Sequence, residues 1–347
     1  MLITGVSGQL GNNLARYFKD KYDILGLYHS HRVEIEDIRT EEVDLLLPSA
    51  VRKTMQELNP EIVIHCASLT NIDYCEMNRE LTNRVNVYGT KAVVESMQNG
   101  HGKLIYISTD AVYDGATGDF TECDPVNPPN YYGRSKYEGE LEALKRENTL
   151  VLRTNIFGWN VQNKYSIAEW ILHELMGNRE ITGFNDVFFS SIYNFKLAKI
   201  LELAINKDFA GIYNCASSTS ASKYEFAVHI ADCFNLDRNL IKPMSVDEYP
   251  LIAKRGKNLT LNVDKLAKAL NCNLPSIEES IEDFHRDFLD GLPERIRTNI
   301  HAYPVRQPLL PYGRQLIDEG DIGAVVEVLK STHLTQGPNV SEFEAEI

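Results

Sequence analysis

The sequence predicts an α/β protein built on a doubly wound parallel sheet, followed by a smaller C-terminal lobe. Over about the first 160 residues, short apolar segments alternate with amphipathic ones, as in parallel strands joined by crossover helices. Glycines recur at every third position after the first apolar segment, and hydroxyl or acidic residues follow later ones. Beyond about residue 160 the alternation loosens, which indicates a separate lobe.

Each predicted strand is a short apolar run bounded by turn-forming or polar residues. The predicted strands of the sheet cover residues 2–4, 23–28, 61–66, 103–108 and 150–153. The helices predicted between them cover residues 11–19, 48–58, 84–98 and 135–146. In the lobe we expect helices at residues 167–176, 195–205 and 224–233, and a strand at residues 211–215.

Composition favours a soluble, cytoplasmic globular protein. Of the 347 residues, 43% are hydrophobic, which is enough for one large domain or two unequal ones. The formal net charge of -14 argues against a nucleic-acid partner, which would require a basic face. We expect no membrane span and no signal peptide, because no apolar run approaches ~20 residues. The six scattered cysteines indicate reduced thiols rather than a metal site.

Gly5, Gly8 and Gly11 lie between the first predicted strand and the first predicted helix. Glycine is required where the backbone turns with positive φ or approaches a phosphate closely. A helix that begins near Leu10 would direct its free N–H groups at that phosphate. The sequence therefore predicts a Rossmann-type dinucleotide site, and the alternative is a glycine-rich turn without a ligand.

The end of the second predicted strand bears on the choice of cofactor. An acid at this point would accept hydrogen bonds from the 2′-hydroxyl of NAD, but none is present. Ser30, His31 and Arg32 could instead hold a 2′-phosphate, which favours NADP, with NAD as the alternative. Arg32 can also be interpreted as an ordinary surface charge.

Tyr132 and Lys136 are spaced to share one helix face. A free phenol titrates near ~10, and a nearby ammonium is expected to lower that pKa toward the working range. We predict that Tyr132 protonates a substrate oxygen as hydride arrives, and that Lys136 also donates to the cofactor ribose. Thr109, at the end of a strand, would hydrogen-bond the same oxygen. The alternative is that this spacing occurs by chance.

Several polar residues near these motifs have a structural interpretation. His65 lies within an apolar strand and is expected to be buried. Asp73, Cys75 and Glu76 are predicted to start a helix rather than to bind a metal. Asn86, inside a helix, is expected to cap or bridge backbone rather than to contact a ligand.

With these motifs the chain resembles the extended short-chain dehydrogenase/reductases, and within them the dTDP-4-dehydrorhamnose reductases and their relatives. The resemblance covers about residues 1–290 and rests on six segments: 4–11, 65–76, 108–115, 129–136, 152–155 and 257–265. It implies reduction of the C4 ketone of a nucleotide-linked 4-keto-6-deoxysugar, in the synthesis of dTDP-rhamnose or another surface polysaccharide sugar. It also allows a homodimer.

The resemblance assigns roles residue by residue. It implies cofactor contacts from Gly8, Gln9, Leu10, Asp44, Leu45, Ala67, Ser68, Leu69, Tyr132 and Lys136. It places Thr109 and Asp110 against the sugar, and we add Asn155 to the predicted substrate contacts. Relatives usually have Trp where Asn155-Ile156 stands, which leaves the sugar open. Ala111 follows Asp110 where the 4,6-dehydratases need Glu, which weakens a dehydratase interpretation.

Two other functions stay open at this point. An epimerase would use Thr109, Tyr132 and Lys136 with a tightly held NAD. A non-catalytic NADP-binding subunit is the other, since methionine adenosyltransferase has a regulatory partner on this same fold. The presence of all three residues favours an enzyme, because a binding module has no need for the acid.

The predicted domains are a dinucleotide-binding domain at residues 1–160, an interleaved substrate lobe at 161–300, and a linker with a tail at 301–347. The tail, from Pro308 to Pro338, resembles the start of a pyridoxal-phosphate-dependent sugar aminotransferase. Such enzymes bind their cofactor through a later lysine. We therefore expect a tail that ends at Ile347 to have no transaminase activity, and to indicate a setting of deoxy- or aminosugar assembly.

Overall fold

The computed structural model describes residues 1–97, 102–162 and 164–297. The chain divides into two compact units, residues 1–301 and 302–347. The second unit, and with it the predicted aminotransferase-like tail, lies outside the described residues. The predicted division near residue 160 stays a prediction.

Strands and helices alternate over much of the described chain, with some strands and some helices following one another directly. The strands are β1 Leu2–Thr4, β2 Leu25–Tyr28, β3 Arg39–Glu42, β4 Ile62–His65, β5 Lys103–Ile107, β6 Thr149–Arg153, β7 Ile156–Phe157, β8 Ile181–Phe184, β9 Phe188–Phe189, β10 Ile192–Tyr193, β11 Gly211–Asn214, β12 Ala221–Ser222 and β13 Ile241–Met244. The helices are α1 Gln9–Phe18, α2 Pro48–Leu58, α3 Ile72–Met77, α4 Arg79–Asn83, α5 Gly89–Ser96, α6 Tyr131–Ala143, α7 Ile167–Met176, α8 Asn194–Asn206, α9 Lys223–Cys233, α10 Asp264–Leu270, α11 Ile277–Leu289 and α12 Leu292–Arg297.

Seven of these strands form one parallel sheet in the order β11-β6-β5-β4-β1-β2-β3. The strand order reverses on either side of β1, so a crevice opens beyond the carboxyl ends of β1 and β4. The segment after residue 160, assigned to the predicted lobe, contributes β11, which extends the sheet beside β6 with Asn214 opposite Arg153. The predicted fold class, a Rossmann-type doubly wound sheet, is confirmed.

Both faces of the sheet are buried, which explains the uninterrupted apolar runs of its strands. Ile3 and Ile64 pack into a core cluster with residues of α1 and α8. Their neighbours Leu2 and Val63 pack on the opposite face, with residues of α2 and α5. Because successive side chains alternate across a strand, one apolar run fills two cores.

Three of the differences from the prediction concern the sheet and the helices beside the site. β3 was missed because its sequence is polar and its residues are exposed or half-buried, so it lacks an apolar pattern. α6 begins at Tyr131 rather than four residues later, because the Asn130 side chain accepts a hydrogen bond from Gly133 N and caps it. The helix predicted at 84–98 contains a π-helical turn, Arg84–Tyr88, and α5 ends at Ser96.

Three further observations concern the described residues alone. No helix among them combines the length and the apolar character needed to cross a bilayer. They contain no group of three or more His, Cys, Asp or Glu side chains placed to hold a metal ion. The six cysteines carry free thiols.

Candidate active site

The glycine turn between β1 and α1 is tight enough to exclude side chains. Gly5 has a φ of +70°, and a Cβ on it would lie 2.8 Å from the Cα of Ala67. A Cβ on Gly11 would lie 2.4 Å from the carbonyl oxygen of Gly5. Gly8 precedes α1 without any side-chain cap, so the first N–H groups of the helix are left for another acceptor. This geometry fits a dinucleotide phosphate.

Two residues predicted for the cofactor, Gln9 and Leu10, support this turn together with Gln162, which was not predicted. Gln9 donates from Nε2 to the carbonyl oxygen of Gly158 at 3.0 Å. Gln162 donates from Nε2 to the carbonyl oxygen of Ser7 at 2.8 Å. Leu10 is buried in the core beneath the turn. The glycine turn is therefore attached on both sides to the segment that follows β7.

The residues predicted to select the cofactor lie in the loop after β2 and near the end of β3. Ser30 Oγ lies 3.0 Å from His31 Nδ1, and Arg32 donates to Glu34 at 2.8 Å, all on exposed side chains. Asp44 accepts from Leu46 N at 2.8 Å. Leu45 packs partly buried against the core of the α2 and α5 face. The roles of Ser30, Arg32, Asp44 and Leu45 toward a cofactor stay predictions.

Asn86 fixes the segment after β4. Its Oδ1 accepts from Leu69 N at 2.8 Å and from Ser68 Oγ at 3.1 Å. Its Nδ2 donates to Leu69 O at 3.0 Å and to Ser135 Oγ at 2.9 Å. The buried amide thus ties the predicted cofactor segment Ala67–Leu69 to α6, and the expectation that Asn86 bridges backbone is confirmed.

His65 is a buried link within the same edge. Its Nδ1 lies 2.7 Å from Thr4 Oγ1, and its Nε2 lies 3.0 Å from Thr90 Oγ1. Burial, reinforced by the charge of Lys136, lowers the pKa of His65 to about 3. His65 is therefore neutral at physiological pH and holds strand and helix together, as its place in an apolar strand predicts.

The start of α6 is held by side chains from two directions. Glu76 accepts from Tyr131 N at 2.8 Å, and this hydrogen bond is the main reason that the pKa of Glu76 is lowered. Asn130, besides capping the helix, donates from Nδ2 to Lys254 O at 2.9 Å. Asp73 accepts from Arg255 at 2.8 Å. Asp73 lies in the first turn of α3, as predicted, whereas Glu76 lies in its last turn, and both residues hold neighbouring segments at the site.

Tyr132 stands half-buried on the first turn of α6. Burial raises the pKa of Tyr132 above its ordinary value, and a hydrogen bond with Thr109 only partly opposes this. The expectation that Lys136 lowers this pKa is wrong for the protein described here. Lys136 Nζ instead donates to Ile107 O at 2.7 Å and lies 4.3 Å from the centre of the Tyr106 ring. Tyr132 is therefore a protonated phenol, suited to donate.

The pKa of Lys136 is also shifted by its surroundings. Burial lowers the pKa of Lys136 to about 8, although the carboxylate of Glu140 favours the charged form. An ammonium with this pKa is mostly charged at neutral pH and can still lose its proton.

Thr109, Asp110 and Asn155 form one hydrogen-bonded chain at the end of β5. Thr109 Oγ1 donates to Asp110 Oδ1 at 3.0 Å, and Asn155 Nδ2 donates to Asp110 Oδ2 at 2.7 Å. Burial raises the pKa of Asp110, against the effect of these hydrogen bonds. The structure thus brings the three predicted substrate residues together, with Asn155 acting on Asp110. Their contacts with a substrate stay predictions.

A buried ion pair beneath the site was missed from the sequence. Arg153 donates to the Glu140 carboxylate through Nε at 3.0 Å and through Nη2 at 2.7 Å, and through Nη1 to Tyr113 Oη at 2.7 Å. Ser108 also donates to Glu140. One indication of it was present in the sequence: a charged residue, Arg153, at the end of an apolar strand. The pair connects β6 to α6 directly below Lys136.

Two cations that face the site from the lobe were also missed. Lys223 begins α9, and its charge acts on Asp110. Arg255 lies in the loop before α10 and acts on Lys223. Neither lies in a recognisable motif, so only the fold brings them to this edge.

A separate cavity of about 810 Å³ lies on the outer side of α9. It is lined by Tyr224, Glu225, His229, Arg238 and Lys242, among others, and by none of the candidate residues. The strand ends, rather than this cavity, therefore define the candidate active site.

Comparison with known proteins gives a consistent result. The family model described as RmlD substrate binding domain matches residues 1–289. Methionine adenosyltransferase 2 subunit beta from Danio rerio is 31% identical over 276 residues, covering 77% of this chain and 83% of that protein. The dTDP-4-dehydrorhamnose reductase of Aggregatibacter actinomycetemcomitans is 28% identical over 285 residues, covering 78% and 92%.

Solved structures agree with these sequence relatives. The dTDP-4-dehydrorhamnose reductase of Bacillus anthracis, crystallised with NADP, superposes with a TM-score of 0.74 at 28% identity, covering 82% of this chain and 98% of that one. The corresponding protein of Clostridium acetobutylicum gives a TM-score of 0.73 at 26% identity, covering 83% and 99%.

Proposed function

Because the chain belongs to the RmlD substrate binding domain family, we propose that it reduces the C4 ketone of a nucleotide-linked 4-keto-6-deoxysugar with NADPH. The predicted class, an NAD(P)-dependent oxidoreductase, is confirmed by the family. The observation that carries the proposed reaction is the protonated Tyr132 beside Thr109, on the sheet edge that also holds the glycine turn.

The proposed cofactor is NADP, with NAD as the alternative. Its pyrophosphate would lie against Gly5, Gly8 and Gly11, where a Cβ on Gly5 or Gly11 would collide with backbone. The B. anthracis relative was crystallised with NADP. Arg32, half-exposed after β2, is the residue of this chain proposed to meet a 2′-phosphate.

The chemistry divides between cofactor and protein. When bound, the reduced nicotinamide supplies a hydride to the carbonyl carbon. Tyr132 donates its proton to the carbonyl oxygen, so that the ketone becomes an alcohol and the phenol becomes a phenolate. Thr109 holds that oxygen in place. Lys136, whose ammonium is held against Ile107 O one helical turn after Tyr132, is proposed to donate to the cofactor ribose.

A second candidate is favoured by one comparison. Methionine adenosyltransferase 2 subunit beta is as similar to this chain as the reductases are. A non-catalytic, NADP-binding regulatory subunit would keep the glycine turn and have no use for a proton donor. Thr109, Tyr132 and Lys136 are all present here, which supports the reductase.

The test is NADPH oxidation with dTDP-, GDP- and UDP-linked 4-keto-6-deoxysugars, with NADH measured in parallel. We expect Tyr132→Phe to lower kcat by about 10² to 10⁴, the range for loss of a general acid. Tyr131→Phe is the matched control: it removes the neighbouring hydroxyl from a ring that lies 5.4 Å from the Arg79 guanidinium and 6.0 Å from that of Arg134, and it should leave kcat within a few-fold. Full activity of Tyr132→Phe would reject the catalytic model.

Three further parts of the proposal concern the setting. We propose that the reaction serves the assembly of surface polysaccharide sugars in the cytoplasm. A homodimer and the lack of a nucleic-acid partner are proposed with it, the second from the net charge of -14. Elution of the purified full chain at the mass of two copies would support the dimer.

A further inference from the structure

We propose that Lys223 is a substrate-binding residue whose ammonium pairs with the diphosphate of the nucleotide sugar, together with Arg255. This inference rests on the proposed function and deepens it, because it names the part of the substrate that the lobe recognises.

The backbone of Lys223 is held firmly. Ser222 caps α9 by accepting from Glu225 N at 3.1 Å, and Glu225 accepts in return from Ser222 N at 2.8 Å. Lys223 N donates to Val187 O at 2.9 Å. The Nζ atom lies 3.3 Å from the centre of the Phe189 ring. The ammonium therefore has a defined position, supported by the face of an aromatic ring.

The N–H donors of the Lys223 ammonium have no hydrogen-bond partners among the described residues. Lys223 Nζ makes no hydrogen bond or ion pair with the residues that the structure describes, although it has three N–H donors. Burial lowers the pKa of Lys223 to about 8, the charge of Asp110 opposes the shift, and Arg255 adds to it. A partly desolvated cation without a direct partner is costly unless an anion joins it.

Arg255 is satisfied only in part. Its Nη2 donates to Asp73 Oδ2 at 2.8 Å, while its Nε is buried without a hydrogen-bond partner. Its loop is fixed at the site, because Asp73 also accepts from Ala253 N at 3.1 Å. Asn130 holds the next residue of this loop, Lys254, to the start of α6. Lys223 and Arg255 thus come from separate segments, each keeps an N–H donor without a partner among the described residues, and the charge of Arg255 acts on Lys223.

Their arrangement favours a ligand with two linked anionic groups. Asp110 accepts from Thr109 and Asn155, and it forms no ion pair with Lys223 or Arg255 among the described residues. A nucleotide sugar brings a diphosphate, whose two phosphates can each accept from one cation. A carboxylate on the sugar ring offers the same oxygen chemistry with a single group, and the experiment separates the two.

The experiment measures equilibrium binding by calorimetry to the full chain saturated with NADP⁺, which blocks the pyrophosphate site at the glycine turn. The probes are UDP, dTDP, uridine, UDP-glucose and UDP-glucuronate. We expect Lys223→Met to weaken UDP and dTDP about 10-fold or more, and UDP-glucose equally, as for loss of a charge-assisted hydrogen bond. Uridine binding should not change, and Lys223→Arg should recover part of the loss.

Lys242→Met is the matched control. Lys242 lies on β13 at the outer side of the lobe, where it pairs with Glu180, and its loss should change none of these affinities. An unchanged thermal midpoint for both variants would show that the lobe is folded. In the reductase assay, Lys223→Met should raise KM for the sugar nucleotide with little change in kcat.

Two results would overturn the inference. One is unchanged UDP and dTDP affinity in Lys223→Met; the other is a loss confined to UDP-glucuronate, which would assign the ammonium to a sugar carboxylate. The binding assay needs no turnover. Lys223-dependent binding of nucleoside diphosphates without reduction of any 4-ketosugar would therefore reject the proposed reaction and retain the binding site.

Discussion

The buried charges beneath the sheet edge have hydrogen-bond partners, whereas the charge of Lys223 on α9 has no direct partner among the described residues. Below the site, the Arg153 guanidinium has Glu140 and Tyr113 as partners, and Ser108 adds a further hydrogen bond to Glu140. In the lobe, Lys223 rests on an aromatic ring without a direct partner among the described residues. The first arrangement is complete in the free protein, whereas the second becomes complete only with a ligand. In this protein, the paired charges of Arg153 and Glu140 fix the geometry beneath the site, and the unpaired charge of Lys223 is the one proposed to bind substrate.

The largest effect is expected from breaking the pair of Arg153 and Glu140. Arg153→Met leaves the Glu140 carboxylate buried without its cation, which costs about 3–5 kcal/mol of unfolding free energy. Urea denaturation followed by circular dichroism measures it. The control is Arg134→Met on α6, the helix that carries Glu140, where the exposed pair with Glu138 should contribute less than about 1 kcal/mol.

A double variant sharpens this result. Glu140→Leu combined with Arg153→Met removes both charges, and should be more stable than Arg153→Met alone, because no buried charge is left unpaired. A double variant less stable than Arg153→Met would show that the pair contributes by packing rather than through its charges.

An effect of intermediate size concerns pH. His65 has a folded-state pKa of about 3 and an unfolded-state pKa of about 6.5. Between these two pH values the unfolded chain binds a proton at His65 and the folded chain does not. Stability is therefore lost as pH falls from about 6.5 toward 3, by about 2 kcal/mol between pH 7 and pH 5 for this group. His65→Gln should reduce the dependence of unfolding free energy on pH by this amount. An identical pH slope in the two proteins would contradict a buried neutral imidazole.

The smallest effect compares two helix caps. Asn130→Ala and Ser276→Ala each remove a side-chain cap, of α6 and of α11, and each should cost about 1 kcal/mol of stability. Only Asn130→Ala should also lower kcat, because α6 carries Tyr132 and Lys136. Equal turnover in both variants would mean that the cap does not position the catalytic residues.

Most strands of the parallel sheet, one of its helices and the glycine turn could be predicted from the sequence. The apolar runs placed β1, β4, β5 and β6 within about two residues, and the helix at Pro48–Leu58 was predicted with its observed bounds. Gly5 and Gly11 were predicted because only the absence of a side chain permits that turn. These features depend on local periodicity and on backbone geometry, both of which a sequence displays.

What could not be predicted depends on tertiary contacts. β3 became a strand because β2 offered it a parallel partner, not because of its own residues. The pKa of Tyr132 was predicted in the wrong direction, since the spacing to Lys136 says nothing about burial or about where the ammonium points. Lys223 and Arg255 reach the site from distant segments, and no motif marks either of them.

The pairing of β11 with β6 restricts how the segment after residue 160 can move relative to the sheet. β11 is paired with β6 along all four of its residues, from Gly211 to Asn214. A rotation that carried β11 away from β6 would break this main-chain ladder and leave buried N–H and C=O groups without partners, at a cost in free energy. We therefore expect motion in this part of the chain to be confined to segments outside the sheet ladder.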